Sequence, residues 1–173
     1  MEDGKIKNIV LVFFLFFLSL NFFAQKKDST SQAIDESIEA AMLTRYIVIA
    51  GASSDFNSLD LSAKEISKKS EIPYDNNEMI YDKELGMIVP KDTAKYDMDA
   101  GQSIPRRYEE NLISIEMMYH YTSNHAFGDM KKMIIITGIF GNKQDAEKQL
   151  KLIQKAVPST YIKKTRLYMG CMH

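Results

Sequence analysis

One stretch of this chain, residues 131–161, has the pattern of a strand, a tight turn, a helix and a second strand. Its first strand is a β-branched run that stops at Gly141, and Asn142 with Asp145 has the spacing of a helix capping box. The predicted helix carries one apolar stripe, formed by Ala146, Leu150, Ile153 and Val157. A helix with such a stripe must bury it, so this stretch predicts a layered domain.

The same unit occurs earlier in the chain, over residues 45–81. Its β-branched strand ends in Gly51, a polar turn follows, and a closing strand is predicted at 78–81. When Gly51 is aligned with Gly138, the apolar stripes of the two helices coincide without a gap. The first stripe consists of Leu59, Ala63 and Ile66. Two such halves in series predict an α+β fold of ferredoxin-like βαββαβ type.

In the second unit, the stretch from Met133 to Phe140 has the pattern apolar-x-apolar-x-Gly-x-Phe, which ends in Gly138 and Phe140, and the sequence Asp145-Ala146-Glu147 follows a polar turn. This pattern resembles the second half of a SPOR (sporulation-related repeat) domain. The resemblance implies a βαββαβ fold and a non-catalytic module without a cofactor. It also implies binding to peptidoglycan, with a preference for glycan strands stripped of their peptides.

The resemblance covers the two halves, residues 45–81 and 132–169, and leaves out the insertion at 83–130. In the family, the first strand usually carries Gln two positions before its glycine and Phe two positions after it. This chain has Ile49 and Ser53 at those positions. The polar and aromatic groups that would face a sugar are therefore missing from the first half.

The first 24 residues have the pattern of an export signal. Two lysines precede an unbroken apolar run over residues 9–20, and the small residue Ala24 offers a cleavage point. We therefore expect a mature protein that begins near Gln25 and lies in the periplasm or outside the cell. The alternative is an uncleaved membrane anchor, although the run is short for a bilayer span of roughly 20 residues.

The rest of the chain is predicted to form one domain, residues 32–173, after a polar linker at 25–31. A helix over residues 31–43 is expected to lead into the first strand, because apolar residues recur there at helical spacing. The net charge of −1 lacks the positive footprint of a nucleic-acid-binding protein. No paired carboxylates, phosphate-binding loop or serine elbow is visible in the sequence, so we expect no enzyme.

The insertion between the halves is predicted to contain structure of its own. Residues 78–81 and 87–89 have the pattern of a hairpin. Residues 112–121 alternate strictly between two faces, which predicts an added strand antiparallel to 132–139 that widens the sheet. The polar loop at 91–105 is expected to fold across part of the outer face, the sheet face that the helices leave uncovered.

This outer face is predicted to be apolar, because both alternating sets of the central strands are apolar. An apolar face left in water is costly, so some group must cover it. Three covers are possible: the insertion itself, a protein partner or second copy forming a homodimer, or a glycan strand.

The candidate ligand-binding residues are aromatic rings that can stack on sugars and arginines that can bind carboxylates. They are Tyr46, Tyr81, Arg106, Arg107, Tyr108, Tyr119, Tyr121 and Phe140. Four soft ligands, His120, His125, Cys171 and His173, are the weak candidates for a metal. Their spacing matches no metal motif, so no metal site is predicted.

Overall fold

The structure, a computed structural model, describes residues 38–76, 78–92, 101–106, 111–122 and 131–170. The chain divides into two compact units, Met1–Ala40 and Ala41–His173. Of the first unit only residues 38–40 are described, and they are helical. The helix predicted over residues 31–43 ends before Met42, where the first strand begins. Its start lies outside the described residues, as do the predicted leader and linker.

The second unit combines strands and helices in an α+β arrangement, which confirms the predicted class. Its elements are β1 (Met42–Ser53), α1 (Phe56–Ser70), β2 (Met79–Asp82), β3 (Met87–Pro90), β4 (Ser114–Met117), a 3-10 turn (Met118–Tyr121), β5 (Met133–Phe140), α2 (Lys143–Gln154) and β6 (Tyr161–Tyr168). Strands β4, β5, β1 and β6 form an antiparallel sheet in that order, while β2 and β3 form a separate two-stranded sheet.

Both predicted helices form, and local capping explains where each begins. The Asp55 side chain accepts a hydrogen bond from the Asn57 backbone N–H at the start of α1, and Asn142 does the same for Asp145 in α2. The α1 stripe is buried as predicted. In α2, the stripe is buried at Ala146 and Ile153 and partly buried at Leu150; its last predicted member, Val157, is partly buried but lies beyond the end of the helix.

The closing strand predicted for the first half does not join the main sheet. It forms instead the hairpin β2–β3, whose turn is fixed locally: the Asp82 carboxylate accepts hydrogen bonds from the N–H groups of Glu84 and Leu85, and Gly86 has φ 67°. Strand β4 stands beside β5, where the closing strand was expected. The sheet therefore has four strands in the described chain, and the prediction that β4 widens it is wrong.

The strand predicted over residues 112–121 is shorter than expected. Its pairing with β5 is confirmed, but the ladder ends at the pair Met117 and Met133, where β5 begins. Beyond Met117 the chain enters the 3-10 turn, so strict alternation is lost. Tyr119 consequently packs with the helix-side core, the buried cluster that includes Leu59, Ala63 and Ile153 of the helices. Tyr121 packs with the buried cluster on the opposite, outer face of the sheet.

Strand β4 has a covered outer edge. The Ile113 N–H donates to the Pro73 carbonyl, and the Asp75 N–H donates to the Ile113 carbonyl. The Asn76 side-chain oxygen accepts a hydrogen bond of 2.9 Å from the Ile115 N–H. The segment before the hairpin therefore satisfies polar backbone groups that an edge strand would otherwise expose.

The outer face of the sheet is apolar, as predicted, and it is closed. Its core consists of Ile47, Ile49, Tyr121, Ile134, Ile136, Ile139 and Leu167, with Met118 and Met169 packed against it. None of the seven core residues is more than 3% exposed. Because Tyr121 and Met118 belong to the insertion, the chain itself supplies part of this cover. Of the loop at 91–105, residues 93–100 lie outside the described chain.

Candidate functional site along strand β6

A buried polar network lies on the outer side of β4. The backbone N–H of Arg106 donates to the Tyr121 hydroxyl at 3.0 Å and to the Glu116 carboxylate at 3.3 Å. The Arg106 guanidinium donates to the Leu112 carbonyl at 2.6 Å and to the Ser114 hydroxyl at 3.3 Å. These bonds hold the end of the loop, the strand and the 3-10 turn together.

The electrostatics of this network are set by burial. Burial raises the pKa of Glu116 to about 7, although hydrogen bonds from Ser114 and the charge of Arg106 act in the opposite direction. Burial, together with the nearby Glu116 charge, also raises the pKa of Tyr121 well above its ordinary value. Tyr121 therefore stays neutral and able to donate, whereas Glu116 titrates close to neutral pH.

Three residues that are adjacent in sequence to members of this network form one wall of an open cleft. Pro105 precedes Arg106, while His120 and Thr122 flank Tyr121, and all three line the cleft. The opposite wall comes from β6 and the start of β1. The cleft has a volume of about 600 Å³, within the range of about 300–1,000 Å³ that small-molecule sites occupy.

Strand β6 makes its wall of the cleft strongly basic. The β6 and β1 residues that line it are Met42, Thr44, Lys163, Lys164, Thr165, Arg166, Leu167 and Tyr168. No Asp or Glu is among the described lining residues. Neither Lys163 nor Lys164 forms an ion pair with any residue that the structure describes. The Arg166 guanidinium donates to the Met42 carbonyl at 3.3 Å.

The alternation of β6 shows which of these residues share the outer face. Leu167 belongs to the outer core, so Thr165 and Lys163, two and four residues earlier, lie on the same face. Lys163 pairs in register with Ile47, another outer-core residue, and is partly buried. The ammonium group of Lys163 and the hydroxyl group of Thr165 therefore lie on the same face as the apolar outer core, and both residues line the cleft.

The predicted ligand residues are not brought together. Tyr121 and Arg106 are 1% and 4% exposed and belong to the buried network, so the Arg106 guanidinium is directed into the protein. Tyr81 stacks on Phe56 with ring centroids 4.6 Å apart. Tyr119 is partly buried against the helix-side core. Arg106 and Tyr121 therefore meet in the buried network, whereas Tyr81 and Tyr119 pack against the helix-side core, and none of the four lines the cleft.

Two further candidates, Tyr46 and Phe140, are cross-strand neighbours in β1 and β5. A Cβ placed on Gly138 would meet the Phe140 ring at 2.6 Å, so this ring lies against its own strand. Close to it, the Gln149 side chain donates to the Thr137 carbonyl at 2.7 Å. Phe140 therefore lies beside α2 and away from the cleft.

The remaining predicted residues are Arg107, Tyr108, His125, Cys171 and His173, and they lie outside the described residues. His120 is the single weak metal candidate with a described position, and it lines the cleft. Within the part of the chain that the structure describes, no group of three or more His, Cys, Asp or Glu side chains could hold a metal ion.

The sequence predicted a strand at β6 but provided no reason to assign its residues to a binding site, so the β6 residues that line the cleft are absent from the predicted set. A signal was present: Lys163, Lys164 and Arg166 bring three cations to a short segment without an acidic residue. Which of them face the cleft depends on pairing with β1, and single-sequence patterns do not give that register.

Comparison with protein-family models, with curated proteins and with solved structures returned no match. In the described residues, no helix is long and apolar enough to cross a membrane.

Proposed function

We propose that this protein is a non-catalytic, exported module of SPOR-like type that binds a cell-wall glycan through the cleft along β6. The observation that carries the proposal is the cleft itself, which is open, about 600 Å³ in volume and lined by hydroxyl, cationic and ring-bearing side chains. Sugars require such hydrogen-bonding groups beside a ring or an apolar surface. Export rests on the leader pattern in the first 24 residues.

The strand order supports the ferredoxin-like part of this proposal. When the β2–β3 hairpin is set aside, the chain order is β1, α1, β4, β5, α2, β6, which is βαββαβ. The first and third strands of this series, β1 and β5, are central, and the second and fourth, β4 and β6, form the edges. This order is compatible with a split βαβ fold that carries the hairpin as an addition between its halves, and it therefore supports the proposal.

The closed outer face moves the proposed glycan contact to the margin of the sheet. Ile47, Ile49, Ile134 and Ile136 are at most 1% exposed, so a sugar has no access to the sheet centre. The margin along β6 offers the hydroxyls of Thr44, Thr122 and Thr165, and the rings of Tyr168 and His120. A glycan that lies along β6 would contact these groups and leave the centre undisturbed.

The test is sedimentation of the purified mature protein with peptidoglycan sacculi that have been stripped of protein, with and without amidase treatment. We expect binding that increases after amidase removes the peptide stems. Tyr168→Ala should lower the affinity by about tenfold, because a ring in the cleft is lost.

The matched control is Tyr161→Ala, which removes a ring from the other end of β6, where Tyr161 is 46% exposed and outside the cleft. This variant should bind as the wild type does. If the wild type sediments only with sacculi that retain their proteins, the partner is a wall-associated protein and the glycan proposal is wrong.

A further inference from the structure

Strand β6 forms one edge of the four-stranded sheet, and within the described chain no strand pairs with its outer side. The opposite edge, β4, is covered by bonds to Pro73, Asp75 and Asn76. Strand β6 is eight residues long and pairs with β1 without a register shift. A regular edge of this length presents a row of backbone donors and acceptors to which a further strand can add.

The pairing with β1 identifies the backbone groups of β6 that point outward. The Met169 N–H donates to the Ala41 carbonyl at 2.8 Å, so these residues form a hydrogen-bonded pair that continues the β1–β6 ladder. Such pairs alternate with non-hydrogen-bonded pairs in antiparallel strands, so Lys163, six residues earlier, also directs its N–H and carbonyl toward β1. The same groups of Ile162 and Lys164 therefore point away from β1, and no residue that the structure describes bonds to them.

The side chains beside these groups determine which kind of strand can add. Lys163 lies on the outer face, and Lys164, the next residue, lies on the helix-side face, so this part of the edge carries a positive charge on each face. Arg166 already bonds to the Met42 carbonyl and is left out of this pair. Opposite charges on neighbouring strands stabilise their pairing, whereas like charges destabilise it. The two lysines therefore favour a strand with acidic side chains.

A second copy of this chain fits the edge poorly. Strand β6 contains no Asp or Glu, so two β6 strands would bring lysines together without a carboxylate in any register. Pairing of β6 with β4 of another molecule is blocked, because the segment before the hairpin occupies the outer side of β4. The complementary occupant is therefore a strand from a different polypeptide.

We propose that the β6 edge binds an extended acidic segment of a partner protein, which adds to the sheet as a further strand. The segment bonds to the outward backbone groups of Ile162 and Lys164. Two consecutive acidic residues are its expected signature, because neighbouring residues of a strand project to opposite faces and each carboxylate then lies beside one lysine. This interaction goes beyond the proposed glycan contact and does not depend on it.

The experiment measures binding of a fluorescein-labelled peptide, Thr-Val-Thr-Glu-Glu-Thr-Val-Thr, to the mature protein by fluorescence anisotropy. We expect replacement of both glutamates by glutamine to weaken binding about fivefold, as for the loss of two cross-strand charge pairs. A double variant, Lys163→Gln with Lys164→Gln, should weaken binding of the acidic peptide to the same extent and leave binding of the glutamine peptide unchanged. The control is Lys151→Gln, which changes an exposed lysine of α2 and should bind as the wild type does.

Hydrogen exchange of single amides tests whether the peptide adds as a strand. In the free protein the amides of Ile162 and Lys164 should exchange quickly, and the peptide should slow them by about tenfold or more. The Lys163 amide, already bonded to β1, should change little. An added strand directs alternate N–H groups toward β6, so N-methylation of one alternate set in the peptide should abolish binding, while methylation of the other set should have little effect.

Three results would overturn the inference. Absence of binding by the acidic peptide, or equal binding of the acidic and glutamine peptides, would show that the edge does not select an acidic strand. Binding that survives methylation of either set would show a charge contact without strand addition. Protection of the Ile162 and Lys164 amides in a dimer of the protein alone would assign the edge to a second copy. Sedimentation with sacculi is a separate measurement, so the glycan-binding function stands or fails independently.

Discussion

The carboxylate of Glu116 lies 3.5 Å from the hydroxyl of Tyr121, and a single backbone N–H, that of Arg106, bonds to both. The three residues come from a strand, a 3-10 turn and the end of a loop. Because Tyr121 also packs in the outer core, this contact links the polar network to the cover of the sheet.

The first prediction concerns the pH dependence of stability. Burial raises the pKa of Glu116 from the ordinary 4.5 to about 7 in the folded protein. The folded state therefore binds more protons than the unfolded state between these values. The contribution of Glu116 is fully favourable below pH 4.5 and is lost as the pH rises through 7. The loss is at most about 3.5 kcal/mol, at 1.36 kcal/mol per pKa unit.

Glu116→Gln removes this titration while it keeps a hydrogen-bonding side chain of similar shape. Urea unfolding of both proteins at pH 5 and pH 8 measures the effect. The wild type should lose more stability than the variant between these two values. An identical loss in both proteins would show that Glu116 does not titrate in this range.

The second prediction concerns the hydroxyl that anchors the wall of the cleft. Tyr121→Phe leaves the ring in the outer core but removes the acceptor for the Arg106 N–H. We expect a loss of about 1–2 kcal/mol in the free energy of unfolding, because a buried donor loses its stronger bond. Tyr161→Phe, at a 46% exposed position, should have no effect. Equal effects of the two variants, measured by urea unfolding, would contradict the network.

The third prediction tests the packing of α2. Ile153 is 0% exposed in the helix-side core, so Ile153→Asp should destabilise the protein by several kcal/mol and prevent folding. Leu150→Asp should cost less, because Leu150 is only partly buried, and Lys151→Asp should be tolerated. Circular dichroism and thermal unfolding give the ranking. Any other order would mean that the helix packs through a different face.

The fourth prediction concerns export. We expect the mature protein to begin near Gln25, because the apolar run before Ala24 has the pattern of a cleaved signal. Mass spectrometry of the N-terminal peptide from envelope fractions provides the measurement. Recovery of the intact first 24 residues would show that the leader is retained and would favour the membrane-anchor alternative.

The elements that were predictable from sequence are those specified locally. The strands β1 and β5, the two amphipathic helices and the β2–β3 hairpin all follow from periodicity, caps or turn residues within a few positions. The position of β2 did not follow, because sheet membership depends on competition with β4, more than thirty residues later in the chain.

The site was less predictable because its parts meet through distant contacts. Arg106 and Arg107 were expected to bind carboxylates of a ligand, but Arg106 is buried and bonds to Glu116 and Tyr121, ten and fifteen residues away. The alternation of β5 side chains between the two sheet faces is interrupted at Thr137, which has no partner in β1. The Thr137 hydroxyl donates instead to the Val48 carbonyl. A bulge of this kind changes which side chains face the helices and is not visible in a strict alternation.

The covered edge of β4 has a consequence for self-association. Chains that join edge to edge can extend into continuous fibrils only if both margins of each sheet accept a neighbour. Here Pro73, Asp75 and Asn76 already occupy the hydrogen-bonding groups at one margin. Pairing through β6 would therefore end at two molecules, and the lysines of that strand would oppose each other in such a pair. The sheet is protected against fibril growth by a geometric block at one margin and by charge at the other.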